Sequence, residues 1–278
     1  MKLLLHPVSQ ERYDLVIKNP PQSLVLVSPK GSGKYTLLHG LANVILGYNP
    51  AGRLFELLPP KDKQTIGIEQ IRELKNTFRL KSKLVRVVLI NDAGLMTKEA
   101  QNSLLKLLEE PPKKVHFLLG VSSIRDVLET IQSRSAIWRL VLPTKAQIKD
   151  FYSNIEPARL NKAIAIATNK MGIINELVSD DEQNVILQSI DSAKDILAEN
   201  QFNRLIRANT LSKDSEKSGQ IVGSLVLVCH AALINASMTK PESVKIWNKR
   251  LKLCLKSENW LNNNIQTKLV LSYLFIVL

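Results

Sequence analysis

The feature that most constrains the fold is an apolar run that leads into a glycine-rich turn. Residues 24–36 read LVLVSPKGSGKYT, a strand pattern followed by a turn and the start of a helix. This is the context of a phosphate-binding loop with the pattern G-x-x-x-x-G-K-[ST]. Gly33 and Lys34 fit that pattern, and Gly31 and Ser32 complete the turn. A plain turn is the alternative, but a second buried strand follows in the expected order.

Two positions of this loop depart from a working nucleotide site. Ser28 replaces the first glycine, and Tyr35 stands where a short Ser or Thr hydroxyl would coordinate magnesium. A phenol is too long and rigid for that position. Thr36 lies one residue late, about 100° further round the helix, so it is a poor substitute. Lys34 retains a cation that could hold a phosphate or a structural anion.

The second half of such a site is also altered. Residues 85–90 (VRVVLI) form a buried-strand pattern that ends in Asn91 and Asp92, where an ATPase of this kind carries Asp-Glu. Asn91 cannot supply the charge, and the carboxylate of Asp92 is one methylene shorter than that of a glutamate. With both halves altered, we predict that the chain is not itself an active ATPase.

Charge and cysteine content restrict the function classes. The net charge of +13 favours polyanionic partners, although a lysine-rich solvated surface explains it equally well. The sequence shows no interleaving of aromatic and basic residues typical of a single-strand site. Cys229 and Cys254 fall within apolar helical patterns and are interpreted as core residues. The histidines lack ligand spacing, so no metal site is predicted.

Localisation follows from the absence of targeting signals. We find no run of about 18 apolar residues that would predict a membrane span. The start, MKLLLHPVSQERYD, lacks the apolar core of a signal peptide. The expected location is therefore the cytoplasm.

The order of predicted elements indicates an α/β fold followed by an all-α region. At 278 residues the chain is long enough for two or three domains. Alternation of strands and helices up to Pro143 favours a parallel sheet covered on both faces. Beyond Pro143 the pattern is helical to the end. Strands are predicted at 24–27, 54–57, 85–90, 116–121 and 136–142, and helices in the same region at 34–46, 68–79 and 98–109.

Several blocks carry a family resemblance. They are TIGIEQIREL at 65–74, LINDAGLMTKEAQNSLLKLLEEPP at 89–112, TIQSRS at 130–135 and the terminal NNNIQTKLVLSYLFIVL. With the loop region, they make nearly the whole chain similar to the delta-prime family of the bacterial DNA polymerase III clamp loader, within the AAA+ superfamily. The resemblance implies an AAA+ P-loop-like domain at 1–143, a small helical lid at 144–183 and a helical collar at 184–278 that oligomerises.

The resemblance also implies partners. These would be gamma/tau-like ATPase subunits, delta, the sliding clamp and primer-template DNA, in a hetero-oligomer that acts in DNA replication. No cofactor would be required, and binding of ATP or ADP is left open. Many members of the family carry four zinc-binding cysteines between the loop helix and the second strand. Residues 48–58 contain none, so the zinc module is absent here.

The Ser-Arg-Cys motif of the family corresponds to Ser133, Arg134 and Ser135. In that family the arginine reaches the ATP site of a neighbouring subunit, where a guanidinium stabilises charge on the transferred phosphoryl group. Arg134 is therefore predicted to be an arginine finger that acts in trans. A surface or intradomain salt bridge is the alternative. Ser135 replaces cysteine almost isosterically.

Two further positions correspond to the sensors of the family. Ser122 follows a predicted strand and matches the polar residue that contacts the γ-phosphate, whereas Asn175 lacks the cation that active subunits carry in the lid. The resulting hypothesis is a non-hydrolysing loader subunit that donates Arg134 and helps to load the clamp. An active gamma-like ATPase is the first alternative, and a scaffold outside replication that reuses the fold is the second.

Overall fold

The chain forms two compact units in its computed structural model, which describes residues 3–60, 63–79, 83–179, 184–263 and 265–278. The first unit extends to Phe151 and includes Asn169–Gly172, and the second comprises Tyr152–Thr168 and Ile173–Leu278. The three-domain division remains a prediction. Its boundary at 183 falls among residues 180–183, outside the described residues.

A five-stranded parallel sheet organises the first unit, as predicted. The strand order is β2-β3-β4-β1-β5, so β1, which precedes the glycine-rich loop, lies in the interior of the sheet. The fifth strand is shorter than its predicted range, because the amide of Val141 leaves the sheet and donates to the hydroxyl of Ser9 at 2.9 Å. The strands are β1 (Ser23–Val27), β2 (Leu54–Glu56), β3 (Arg86–Ile90), β4 (Val115–Val121) and β5 (Ala136–Arg139).

Helices cover both faces of this sheet. Side chains alternate between the faces of each strand, so the sheet contributes to two separate apolar clusters. One cluster packs β-strand residues against α3, α4 and α5, and the other packs them against α1 and α2. The helices of this unit are α1 (Pro7–Lys18), α2 (Lys34–Ile45), α3 (Ile68–Arg79), α4 (Lys98–Glu109), α5 (Glu129–Gln132) and α6 (Lys145–Phe151).

The rest of the described chain is helical. In the second unit a central long helix, α11, packs against α7, α9 and α12, and its inward face joins an apolar cluster with residues of α12 and α13. The helices are α7 (Pro157–Ala167), α8 (Met171–Val178), α9 (Val185–Ala198), α10 (Gln201–Leu211), α11 (Ser215–Thr239), α12 (Val244–Asn262) and α13 (Thr267–Val277). The first two residues of α8 belong to the first unit.

Helix α11 corrects one sequence-based expectation. By length and composition it is apolar enough to cross a membrane, although no such run was expected. Its small, weakly polar residues, such as Gly219, Gly223 and Ser224, interrupt the apolar run without adding charge. A third (33%) of its most apolar stretch is buried. Length and composition alone do not distinguish a core helix from a membrane span.

The two cysteines are core residues, as predicted. Both are fully buried, and their sulfur atoms lie 4.0 Å apart between α11 and α12. The contact with Cys229, together with burial, raises the pKa of Cys254. Because the thiolate is the reactive form, we expect Cys254 to resist thiol reagents in the folded protein.

Titration with a chromogenic disulfide at pH 8 tests this expectation. The folded chain should react at least about tenfold more slowly than the chain unfolded in guanidinium, because each thiol must first be exposed by local opening. Equal rates in the two states would show that the cysteines are accessible.

Candidate functional site

The glycine-rich loop joins β1 to α2 in the predicted strand–loop–helix arrangement. Gly31 and Gly33 have φ angles of 81° and 87°, a left-handed conformation that glycine adopts without steric cost. Ser28 donates a 2.6 Å hydrogen bond to Ser32, and both side chains are buried. The hydroxyl of Ser28, which replaces the first glycine of the pattern, therefore links the start of the loop to its middle.

Lys34 is the buried cation at the start of α2. Only 8% of the residue is exposed, and its Nζ lies 3.5 Å from the hydroxyl of Ser122. Burial lowers the pKa of Lys34; Asp92 and Asp126 oppose that effect, while Lys30 adds to it. The structure thus groups Lys34 with the predicted residues Asp92 and Ser122 near the carboxyl ends of the strands.

Asp126 belongs to this group and was missed in the sequence. Its carboxylate accepts hydrogen bonds from the backbone amides of Ser122 and Ser123, at 3.1 and 2.7 Å. Ser123 and Asp126 form a capping box around a short 3₁₀ helix. The Ser-x-x-Asp spacing is the signal that could have identified it.

Tyr35 is directed towards β2. Its hydroxyl lies 3.5 Å from Glu56, and its ring packs edge-on against His39 with 4.5 Å between the ring centroids. The Nε2 atom of His39 also contacts the carboxylate of Glu56. Burial, and secondarily Glu56, raise the pKa of Tyr35. The phenol is therefore engaged by neighbours that the sequence did not indicate.

At Thr36, Asn91 and Asn175 the structure shows no replacement for the magnesium-binding hydroxyl, the carboxylate and the lid cation of an active site. Thr36 is half-buried on α2. The side-chain oxygen of Asn91 is buried and has no hydrogen-bond partner among the described residues. Asn175 lies in the second unit, where it accepts a 3.2 Å hydrogen bond from Tyr152. Among the described residues no group of His, Cys, Asp or Glu could hold a metal ion.

Two glycines allow close backbone approaches in this region. A Cβ at Gly120 on β4 would overlap the carbonyl oxygen of Asn91 and lie 2.9 Å from Leu38. A Cβ at Gly172 would lie 2.7 Å from the carbonyl oxygen of Gly31 and 3.1 Å from the amide nitrogen of Gly33. Within the first unit, the backbone of residue 172 therefore packs directly against the loop.

Arg134 lies at the surface, two residues before β5. Its side chain is 37% exposed and pairs with Glu109, at the end of α4, over 2.8 Å. It also donates to the carbonyl of Thr130 at 3.1 Å and to the hydroxyl of Ser133 at 3.3 Å. The intradomain salt bridge considered above is thus present, and it leaves part of the guanidinium facing solvent.

The connection that carries Arg134 is anchored by two glutamine side chains. Gln101 on α4 is buried; it donates to the carbonyl of Asp126 and accepts from the amide of Leu128, at 3.1 and 2.9 Å. Gln132 on α5 donates to the carbonyls of Ile124 and Val127, at 3.0 and 2.9 Å. Buried, satisfied polar contacts of this kind hold a connection in one conformation.

Lys34 and Arg134 lie at opposite ends of the parallel strands. Lys34 follows the carboxyl end of β1, whereas Arg134 precedes the amino end of β5. These strands are parallel neighbours, with Leu24 opposite Ala136. The arginine is therefore not positioned to act on a phosphate bound at the loop of its own chain.

The comparisons with known proteins relate this chain to clamp-loader subunits. Residues 53–143 match the family described as DNA polymerase III, delta subunit. The DNA polymerase III subunit delta' of Yersinia pestis is 32% identical over 146 residues, which are 52% of this chain and 42% of that protein. The predicted resemblance to the delta-prime family is confirmed. The Escherichia coli K12 delta' subunit is 29% identical over 44% of this chain and 42% of its own length.

The delta-prime resemblance is accompanied by a broader one. The replication factor C small subunit of Staphylothermus marinus is 28% identical over 61% of this chain and 50% of that protein. A gamma subunit-related protein of DNA polymerase III from Thermotoga maritima has a TM-score of 0.55 and 18% identity, over 96% of this chain and 97% of that chain, which supports the AAA+ fold alone. The matches span less than half the length of the delta-prime relatives.

Proposed function

We propose that this chain is a non-hydrolysing, cytoplasmic clamp-loader subunit that donates Arg134 to the ATP site of a neighbouring subunit. The observation that carries the proposal is the partly exposed guanidinium of Arg134, which lies at the amino end of the strands, whereas Lys34 lies at their carboxyl end. A cation in that position can stabilise transferred charge only on another molecule. The neighbour would be a gamma/tau-like ATPase, with delta and the sliding clamp as further partners and primer-template DNA as the substrate.

The chain's own loop supports the non-hydrolysing half of the proposal. Tyr35 is engaged by Glu56 instead of offering a short hydroxyl for magnesium. The side chain of Asn91 carries no charge, and the backbone of Gly172 packs against the loop where phosphates would approach. The carboxylates of Asp92 and Asp126 raise the pKa of Lys34 against the effect of its burial, so part of the charge balance of this lysine comes from the chain itself.

The pair between Arg134 and Glu109 suits a residue that changes partner. Exposed ion pairs contribute about 0–1 kcal/mol, so exchange of Glu109 for a phosphate costs little. Meanwhile Glu109, Thr130 and Ser133 restrict the guanidinium before a neighbour binds. A side chain that is already oriented loses less conformational entropy when it contacts the phosphate.

The second unit offers an apolar surface for assembly. Phe202 and Ile206 on α10 are 72% and 53% exposed, and Leu269 and Ile276 on α13 are 63% and 48% exposed. The two helices pack together, and Gln201 donates to the carbonyl of Ile276 at 3.1 Å. Exposed apolar side chains in such a group are typical of protein interfaces. This surface supports the collar role of the C-terminal helices.

An active gamma-like ATPase is the second candidate, because the structure groups Lys34, Asp92 and Ser122. Phosphate release by the isolated chain with magnesium-ATP separates the two. We expect no turnover above background. A rate on the order of 1 s⁻¹, typical of working enzymes, would contradict the proposal.

The assembly itself is tested by co-purification. The tagged chain should retain the ATPase and delta subunits of the clamp loader of its own organism, and the complex should hydrolyse ATP in response to primed DNA. Absence of these subunits from the complex would favour a scaffold outside replication.

A further inference from the structure

The second unit carries a row of lysines along one side of α12. We call this row the lysine stripe; it consists of Lys245, Lys249, Lys252 and Lys256, all exposed. At 100° per residue these positions fall within about 60° of one another, over about 16 Å of helix. Like charges at this spacing repel one another, and a bound partner of opposite charge would offset that repulsion.

Among the described residues, no carboxylate forms an ion pair with the lysine stripe. Glu258 lies on the opposite side of α12, next to Gly223 of α11, and Glu242 lies in the short 3₁₀ helix before α12. The ion pairs found among the described residues involve none of the four lysines. The positive charge is therefore free to bind an external anion.

Aromatic rings extend the stripe at its carboxyl end. Lys256 lies over the ring of Trp260, 4.7 Å from its centroid, and Tyr273 of α13 packs edge-on against the same ring at 5.4 Å. Trp260 is half-buried, and Tyr273 is 41% exposed. Lys256 and Trp260 lie four residues apart on α12, a combination that the sequence analysis did not identify, and Tyr273 joins them from α13.

We propose that the lysine stripe and Trp260 form a binding surface for single-stranded DNA. A linear row of cations suits a linear polyanion, and a base can stack on the half-buried indole in place of Lys256, whose ammonium then pairs with a phosphate. The chain's net charge of +13 is consistent with such a partner. The choice of DNA rests on the proposed function, whereas the surface does not depend on Arg134. A failure of one proposal is therefore distinguishable from a failure of the other.

The salt dependence of binding tests the lysines. Fluorescence anisotropy of a labelled oligothymidylate of about 15 nucleotides is measured with the full chain, without other subunits, between about 50 and 200 mM salt. For a single strand the slope of log K against log salt is about −0.7 per phosphate contact, so Lys249→Gln with Lys252→Gln should make it about 1.4 less negative. The control is Lys213→Gln with Lys217→Gln, which removes two exposed charges elsewhere in the second unit.

Base stacking is tested at Trp260. Trp260→Ala should weaken oligonucleotide binding by about tenfold, whereas Trp260→Phe retains a ring and should bind nearly as the native chain does. The oligonucleotide should quench tryptophan fluorescence in the native chain and less in Trp260→Phe, which keeps Trp138 and Trp247. Circular dichroism checks that each variant is folded.

Two results would overturn the proposal. One is an equal salt slope for the stripe variant and its control. The other is displacement of the oligonucleotide by polyglutamate of equal charge, at equal concentration and without quenching, which would assign the surface to an acidic protein segment.

Discussion

Replacing Arg134 by alanine is expected to lower the DNA-stimulated ATPase rate of the assembled complex by about 10³-fold at the site that receives the arginine. The side chain is 37% exposed and lies at the surface. Its removal should leave the fold of the chain intact, because a surface ion pair contributes about 0–1 kcal/mol. The effect should therefore appear in turnover and not in assembly. Single-turnover phosphate release by the reconstituted complex measures it directly.

Arg125→Ala is the matched control for Arg134→Ala. Arg125 is also exposed, and it lies on the same connection between β4 and β5. The Arg125→Ala variant should leave the ATPase turnover of the complex unchanged. Arg134→Lys keeps a charge but loses the planar fork, so only part of the rate should return. Normal turnover by an Arg134→Ala complex that has assembled at full stoichiometry would show that the arginine has no role in the neighbouring site.

Several elements of the first unit could be predicted from the sequence alone. The buried runs that became β1, β3 and β4 are continuous and apolar, so strand periodicity placed them nearly at their observed bounds. Helix α4 was also placed correctly, and Thr97 caps it by accepting from the amide of Ala100 at 3.2 Å. These elements have strong local signals, and tertiary packing reinforces them.

Helix α1 was not predicted. Only Ser9 and Val16 of that helix are buried, so its sequence lacks a clear apolar face. Pro7 at the first helical turn was the available start signal, and His6 caps the helix by accepting from the amide of Val8. Packing against α2 fixes the helix, which short-range patterns do not reveal.

The contacts that complete the candidate site were also beyond the sequence. Glu109 meets Arg134 across 25 positions of chain, and the carbonyl of Asp126 is reached by Gln101 from α4. Such contacts depend on how a helix and a loop pack after the sheet has formed. The sequence identified Lys34 and Arg134 as the candidate cations, whereas only the fold showed that they lie at opposite ends of the strands.

Gly120→Ala is expected to destabilise the first unit by about 3 kcal/mol, because an added methyl must displace packed backbone. Its Cβ would overlap the carbonyl oxygen of Asn91 and press on Leu38 of α2. Neither neighbour can move easily, since Asn91 directly follows Ile90, which is paired with Leu119 of β4, and Leu38 is fully buried. The strain would also displace α2 and with it the buried Lys34, whose Cδ lies 3.1 Å from the added atom.

Gly40→Ala is the matched control, because Gly40 lies on α2, the helix that carries Leu38 and Lys34. Its Cβ would meet Leu3 and Tyr13 at 3.5 and 3.9 Å, which are ordinary contacts, so it should be neutral or stabilising by up to about 1 kcal/mol. Urea unfolding in a background of Trp247→Phe and Trp260→Phe follows the first unit alone, since Trp138 of β5 is then the sole tryptophan. Equal midpoints for the two alanine variants would mean that α2 does not pack this closely on β4, and the position assigned to Lys34 beside Ser122 would then be wrong.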